Sequence, residues 1–215
     1  MTQILTIDTS TDACSAALWC DNKSSHRFIV TPQKHTKFIL PMIYELLAEA
    51  QMDLNQLDAI AFGAGPGSFT GIRLAASITQ GLAFAADIPV IKISCLRALA
   101  QEVFAKFGKK KVLVAQDARM QEIYWGKYQV DTSGIMQAIV PDQLLAPKHT
   151  RTDFDADFVM TGNGWKACNI QLIESIIYPQ AQYMAELAVA DFVKGLTVSA
   201  KEALPMYLRE EVAWT

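Results

Sequence analysis

Apolar residues along this chain recur with two spacings, and the spacing switches at clusters of turn-forming residues. Residues 3–7 read as a buried strand ending at Asp8, followed by the polar turn Asp8-Thr9-Ser10-Thr11-Asp12. An apolar run over 13–19 reads as the returning strand, Asp21-Asn22-Lys23 as a second turn, and 26–30 as a third strand. The spacing then becomes helical. Phe38, Ile39, Met42, Ile43, Leu46 and Leu47 predict a helix over 36–51, with Pro41 expected near its first turn, where a missing amide costs little. A strand over 57–62, a helix over 69–86, a strand over 89–93 and a helix over 96–107 complete this half.

The second half opens in the same way. KVLVAQDARMQEIYWGKYQV (111–130) repeats the layout of QILTIDTSTDACSAALWCDN (3–22): apolar strand, Asp, polar turn, returning strand. Asp8 and Asp117 stand at matching places, about half the chain apart. Later, Phe158-Val159-Met160 leads into Gly162-Asn163-Gly164, as Ile60-Ala61-Phe62 leads into Gly63-Ala64-Gly65. Two echoes in the same order predict a duplicated unit. The expected units are 1–107 and 108–215, joined near Gly108 and Lys109-Lys110-Lys111. The fold class that follows is α/β: two similar mixed-sheet units flanked by helices. This arrangement resembles the actin-like (RNase H-like) ATPases, in which ATP lies in the cleft between the halves.

Bulk composition narrows the function classes. The chain has 215 residues, 51% of them hydrophobic and 19% charged, which suits a packed core. A net charge of −3 argues against this chain being a main nucleic-acid surface, which needs clustered Lys and Arg. Cys14, Cys20, Cys95 and Cys168 form no CxxC pair and read as core thiols of a reduced protein. No apolar run is long enough to span a bilayer, and the first residues do not read as a signal peptide. The expected location is cytoplasmic.

The segment richest in chemistry is GAGPGSFTGIR (63–73), between a buried strand and a long helix. It could cradle a phosphate through backbone amides, the hydroxyls of Ser68 and Thr70 and the Arg73 guanidinium. As structure, its glycines serve positive φ and close helix–sheet approach, the reading the loop favours over a phosphate cradle. It matches neither the P-loop, since no Lys-Ser or Lys-Thr pair follows, nor GxGxxG. The nucleotide-loop candidates are Asp8, Ser10, Gly65, Gly67, Ser68 and Asp117. No serine sits in GxSxG, and Cys95 has no adjacent base, so no catalytic residue is assigned.

The helix over 69–86 has one charge, Arg73, and many small residues: Gly71, Ala75, Ala76, Ser77, Gly81, Ala83, Ala85 and Ala86. A surface helix carries a broad polar face, so this one is covered on more than one side, by its own fold or by a partner. The preceding helix shows a similarly broad apolar sector. The residues assigned to a partner surface are Phe38, Met42, Ile43, Leu46, Arg73, Ala76 and Gly81. The tail over 204–215, with Tyr207-Leu208-Arg209 and Glu210-Glu211, could dock on the body or on another protein.

Four segments, IDTS at 7–10, HTKFILP at 35–41, GAGPGSFTGIR and PMYLREEVAW at 205–214, together resemble the TsaB (YeaZ) family of bacterial proteins of threonylcarbamoyladenosine synthesis on tRNA. The resemblance covers essentially the whole chain. It implies an actin-like fold and a non-catalytic scaffold that pairs with the catalytic relative TsaD and is joined by the ATPase TsaE. It places this chain in the complex that modifies the adenosine 3′ of the anticodon, with ATP used by the complex, no cofactor expected on this chain and tRNA met through the complex; the two helices' surface could also make a homodimer when the partner is absent. Asp8 stands where actin-like ATPases put a metal-linked carboxylate, or it caps its own turn. In the catalytic relative a His-x-x-x-His pair holds a metal; here His35 is followed by Ile39 at the second position, so no metal site is expected. The competing reading is an actin-like ATPase or small-molecule kinase using Asp8, the glycine loop and Gly162-Asn163-Gly164 around ATP and magnesium.

Overall fold

A computed structural model describes residues 2–150, 157–170, 172 and 176–209. Glu210 and Glu211 of the tail lie outside them. Among the described residues the chain forms two mixed sheets flanked by helices, as expected. The first has the order β3-β2-β1-β4-β5, built from β1 (Ile4–Asp8), β2 (Ala13–Cys20), β3 (Lys23–Val30), β4 (Ala59–Gly65) and β5 (Val90–Ser94). β1, β2 and β3 are antiparallel; β4 and β5 join parallel to β1. The second has the order β8-β7-β6-β9, from β6 (Lys111–Asp117), β7 (Ile123–Val130), β8 (Met136–Leu145) and β9 (Val159–Thr161). β9 pairs parallel with β6 as β4 does with β1. The echo in the sequence is therefore a repeat of topology.

Side-chain alternation sorts the first sheet into two dry faces. Leu5, Ile7, Ile60 and Phe62 meet α1 (His35–Glu49) and α2 (Phe69–Ala86). Ile4, Ala59, Ala61, Ile91 and Ile93 meet Met184, Leu187 and Ala188 of α4 (Ala181–Val193). α3 (Cys95–Phe107) turns Leu96, Leu99 and Val103 towards Val112, Val114 and Tyr128 of the second sheet. α3 and α4 thus form a middle layer between the sheets. Arg97 of α3 ties that layer together: its guanidinium donates to both carboxylate oxygens of Asp191 on α4, at 2.6 and 3.1 Å, and its Nε to the Met136 carbonyl at 2.7 Å.

Several expectations need correction. The helix predicted over 36–51 is α1, which begins at His35 and ends at Glu49, so Pro41 falls in its second turn; its ring faces solvent rather than the core. β3 begins at Lys23, because Asp21 and Asn22 take left-handed backbone (φ 51 and 59°) and close a two-residue hairpin turn. The duplicated layout implied helices in the second half without placing them, and β8 and α4 stand there at positions the sequence reading did not assign. α2 begins and ends as predicted, with Ser68 as its N-cap accepting from the Gly71 amide and Asp87 left-handed at its end.

Candidate functional site

The turn after β1 organises the first half of the site. Asp8 is buried, and its carboxylate accepts from the Ser10 amide (3.0 Å) and the Ser10 hydroxyl (2.8 Å). Burial pushes its pKa up to about 7, against the pull of those Ser10 bonds. Asp8 is therefore a cap on its own turn. The glycine loop lies directly on that turn. The Ser68 amide donates to the Ser10 carbonyl at 2.7 Å, and the Thr9 hydroxyl donates to the Gly71 carbonyl at 2.7 Å. A Cβ on Gly71 would sit 2.0 Å from the Thr9 carbonyl oxygen, and one on Gly67 2.6 Å from that of Ser10. These glycines serve close approach, and the Ser68 and Gly71 amides already have partners within the fold.

The second half repeats the device after β6. The Asp117 amide donates to Asn163 Oδ1 at 2.9 Å, and Asp117 Oδ1 accepts from the Arg119 amide at 2.8 Å. A Cβ on Gly162 would lie 2.0 Å from the Ala115 carbonyl oxygen. The following turn is strained: Arg119, Met120 and Gln121 all have left-handed backbone, with φ of 62, 52 and 57°.

The two turns face each other across a cleft of about 510 Å³. Of the nucleotide-loop candidates, Ser10, Gly67, Ser68 and Asp117 line it. Asp8 lies behind its own turn. Gly65 (φ +120°) sits under the tail, where a Cβ would be 2.8 Å from the Met206 carbonyl oxygen. Residues 206–209, Tyr124 and Tyr178 complete the walls. Cys95 also lines the cleft, but burial and the nearby Asp8 hold its thiol well above the usual range, which disfavours a nucleophilic thiolate. His35 Nε2 lies 2.8 Å from the Thr11 carbonyl and pins the start of α1 to the first turn. Among the described residues no group of three His, Cys, Asp or Glu side chains could hold a metal.

The proposed partner residues divide by burial. Met42, Ile43, Leu46 and Ala76 are core, holding α1 and α2 to the sheet, and cannot meet another protein as placed; Phe38 is half-buried. Arg73 and Gly81 are exposed. They lie on an outer stripe of α2 that also carries Phe69, Ser77 and Phe84, the last 83% exposed; Leu40 and Tyr44 are exposed on α1. Sequence pattern missed Phe84 and Tyr44. Apolar residues surround both helices, so the pattern did not show which phase faces inward. The i, i+4 series 73, 77, 81 was the available signal.

A family model described as TsaD, tRNA N6-adenosine threonylcarbamoyltransferase, matches residues 29–213. The tRNA threonylcarbamoyladenosine biosynthesis protein TsaB of Escherichia coli K12 is 40% identical over 223 residues, covering 99% of this chain and 96% of that protein. The TsaB of Haemophilus influenzae is 43% identical over 225 residues, covering 98% and 95%. The solved structure of YeaZ from Pseudomonas aeruginosa superposes with a TM-score of 0.91 at 39% identity, covering 97% of this chain and all of that one. The chain belongs to the TsaB family, within the wider group that the TsaD model describes.

Proposed function

We propose that this chain is a non-catalytic scaffold subunit of the machinery that forms threonylcarbamoyladenosine, acting on the adenosine 3′ of the anticodon in tRNA. It pairs with a TsaD-type catalytic relative through the outer face of α2, and a TsaE-type ATPase joins the pair. ATP is used by the complex, tRNA is met through it, and this chain holds no cofactor of its own. The pathway comes from the named relatives; the scaffold role rests on α2.

The observation that carries the reading is Gly81. It stands on the exposed face of α2, in the helix interior, where glycine costs about 1 kcal/mol relative to alanine. Among the described residues a Cβ there would meet nothing within 4 Å, so none of them requires glycine at this position. Phe84 is exposed three residues on. A small residue beside a bare aromatic ring suits close approach by a partner's helix. The same face would form a homodimer when the partner is absent.

The cleft favours the second reading, an actin-like ATPase or kinase, through its size and its hydroxyls at Ser10 and Ser68. Against it stands Asp8, which is engaged by Ser10 and does not line the cleft. Reconstituted modification separates the two. With catalytic relative, ATPase, ATP and threonylcarbamoyl-adenylate supplied, product is expected to require this chain and to survive Asp8→Asn. Loss of product with Asp8→Asn in an assembled complex would favour the enzymatic reading.

A further inference from the structure

We propose that residues 206–209 form a strap that sets how far the cleft opens, and that a protein docking on α2 releases it through Arg73. The second half of this proposal rests on the docking role given to α2 above. The strap has a built seat. The Met206 amide donates to the Ala64 carbonyl at 2.8 Å, and its own carbonyl lies where any side chain at position 65 would project. Glycine at 65 is what lets the tail lie flat on the loop.

Two anchors follow, one on each unit. The Tyr207 hydroxyl accepts from Arg73 Nε at 2.8 Å, and the Arg73 guanidinium stacks 3.5 Å from the centre of the Phe69 ring. Arg209 reaches the turn after β6, where it pairs with Glu122 and donates to the Ala118 carbonyl at 3.2 Å, with Met120 Sδ also 3.2 Å away. These are the flanks and middle of the left-handed turn at 119–121. Leu208 alone separates the anchors, so the chain between them spans at most about 7 Å. The units cannot part by more than a few ångströms unless one anchor lets go. Arg73 and Phe69 belong to the exposed stripe of α2, so a protein seated there competes with Tyr207 for the same guanidinium. Release frees Arg209 in turn, and the strained turn loses the group that braces it.

Hydrogen exchange on the full chain tests this. The Ala118 and Glu122 amides bond across the strained turn, to Glu122 and Arg119 carbonyls, and the Met206 amide bonds to Ala64. Tyr207→Phe keeps the ring and removes the hydroxyl; it is expected to speed exchange at Ala118 and Glu122 about five-fold, although the bond it removes is to Arg73 of the first unit. Arg209→Ala is expected to speed exchange at Met206 by a similar factor. If each change is felt only at its own end, the strap is overturned. Adding the TsaD-type relative to the unmodified chain is expected to speed the Ala118 and Glu122 amides as Tyr207→Phe does. If that relative binds and those amides do not respond, release through Arg73 is wrong while docking on α2 stands. If it does not bind, the docking reading fails, and the two variants still decide the strap.

Discussion

Asp8 keeps its proton in the folded chain up to about pH 7, against 3.8 when free, because burial outweighs its two bonds from Ser10. Between those values the folded state holds a proton that the unfolded state has lost. Stability from this group is therefore complete below about pH 4, falls as pH rises towards 7, and levels off above. The loss is on the order of 4 kcal/mol. Burial raises Asp142, Glu102 and Glu186 as well, which adds slope of the same sign. Urea midpoints between pH 4.5 and 8 are expected to show a shallower fall in Asp8→Asn; an unchanged slope would mean that Asp8 titrates as if exposed. The loop glycines diverge just as clearly. Gly71→Ala puts a methyl group 2.0 Å from a carbonyl oxygen and is expected to cost about 3 kcal/mol. Gly81→Ala, in open space, is expected to gain about 1 kcal/mol; denaturant titration checks both. As letters the two glycines are identical. Their different roles come from Thr9, 62 positions before Gly71, which no local pattern reports.

At the scale of elements, legibility followed how each element is buried. α2 was placed correctly at both ends because Ser68, a glycine turn and a proline-free apolar run coincide in sequence. β8 went unseen: its pairing with β7 is broken by two register shifts, and Pro141 interrupts its alternation. α4 lies between a sheet and α3, is buried on most sides and has no side-chain cap, so it lacks the polar stripe that marks a helix. The pair Arg97–Asp191 joins α3 to α4, with side chains 13% and 7% exposed. Asp191→Ala leaves that guanidinium without its carboxylate partner and is expected to destabilise by about 3–5 kcal/mol, with Arg97→Met/Asp191→Leu recovering much of it; thermal or chemical unfolding of the three chains decides. On α2, Gly81→Arg is expected to stabilise the fold slightly, as Gly81→Ala does, and to weaken pairing with the TsaD-type relative at least about ten-fold. Ala76→Arg is expected to unfold the chain, because that site is core. Calorimetry of pairing alongside unfolding curves distinguishes the two.

At the scale of the molecule, the duplication was legible because both copies keep the order strand, Asp, turn, strand and later the glycine pair. The way the halves interlock was not. Met184 packs with Ala59 and Ala61, and nothing near either position in sequence announces it. One face of the first sheet is closed by a helix from the far end of the chain. Residues 1–107 alone would expose Ile4, Ile91 and Ile93 to water, and are expected to aggregate or bind hydrophobic dyes, whereas the full chain stays dispersed; light scattering of the two checks it.

The same return of α4 sets an order of events on the ribosome. β5 ends at Ser94, but its cover ends at Val193, roughly one hundred residues later. At about 5–20 residues per second, the nascent sheet waits for ~5–20 s with one apolar face bare. The first half of this protein cannot mature as it emerges. It must be shielded by a chaperone, or by later parts of its own chain, until α4 has emerged.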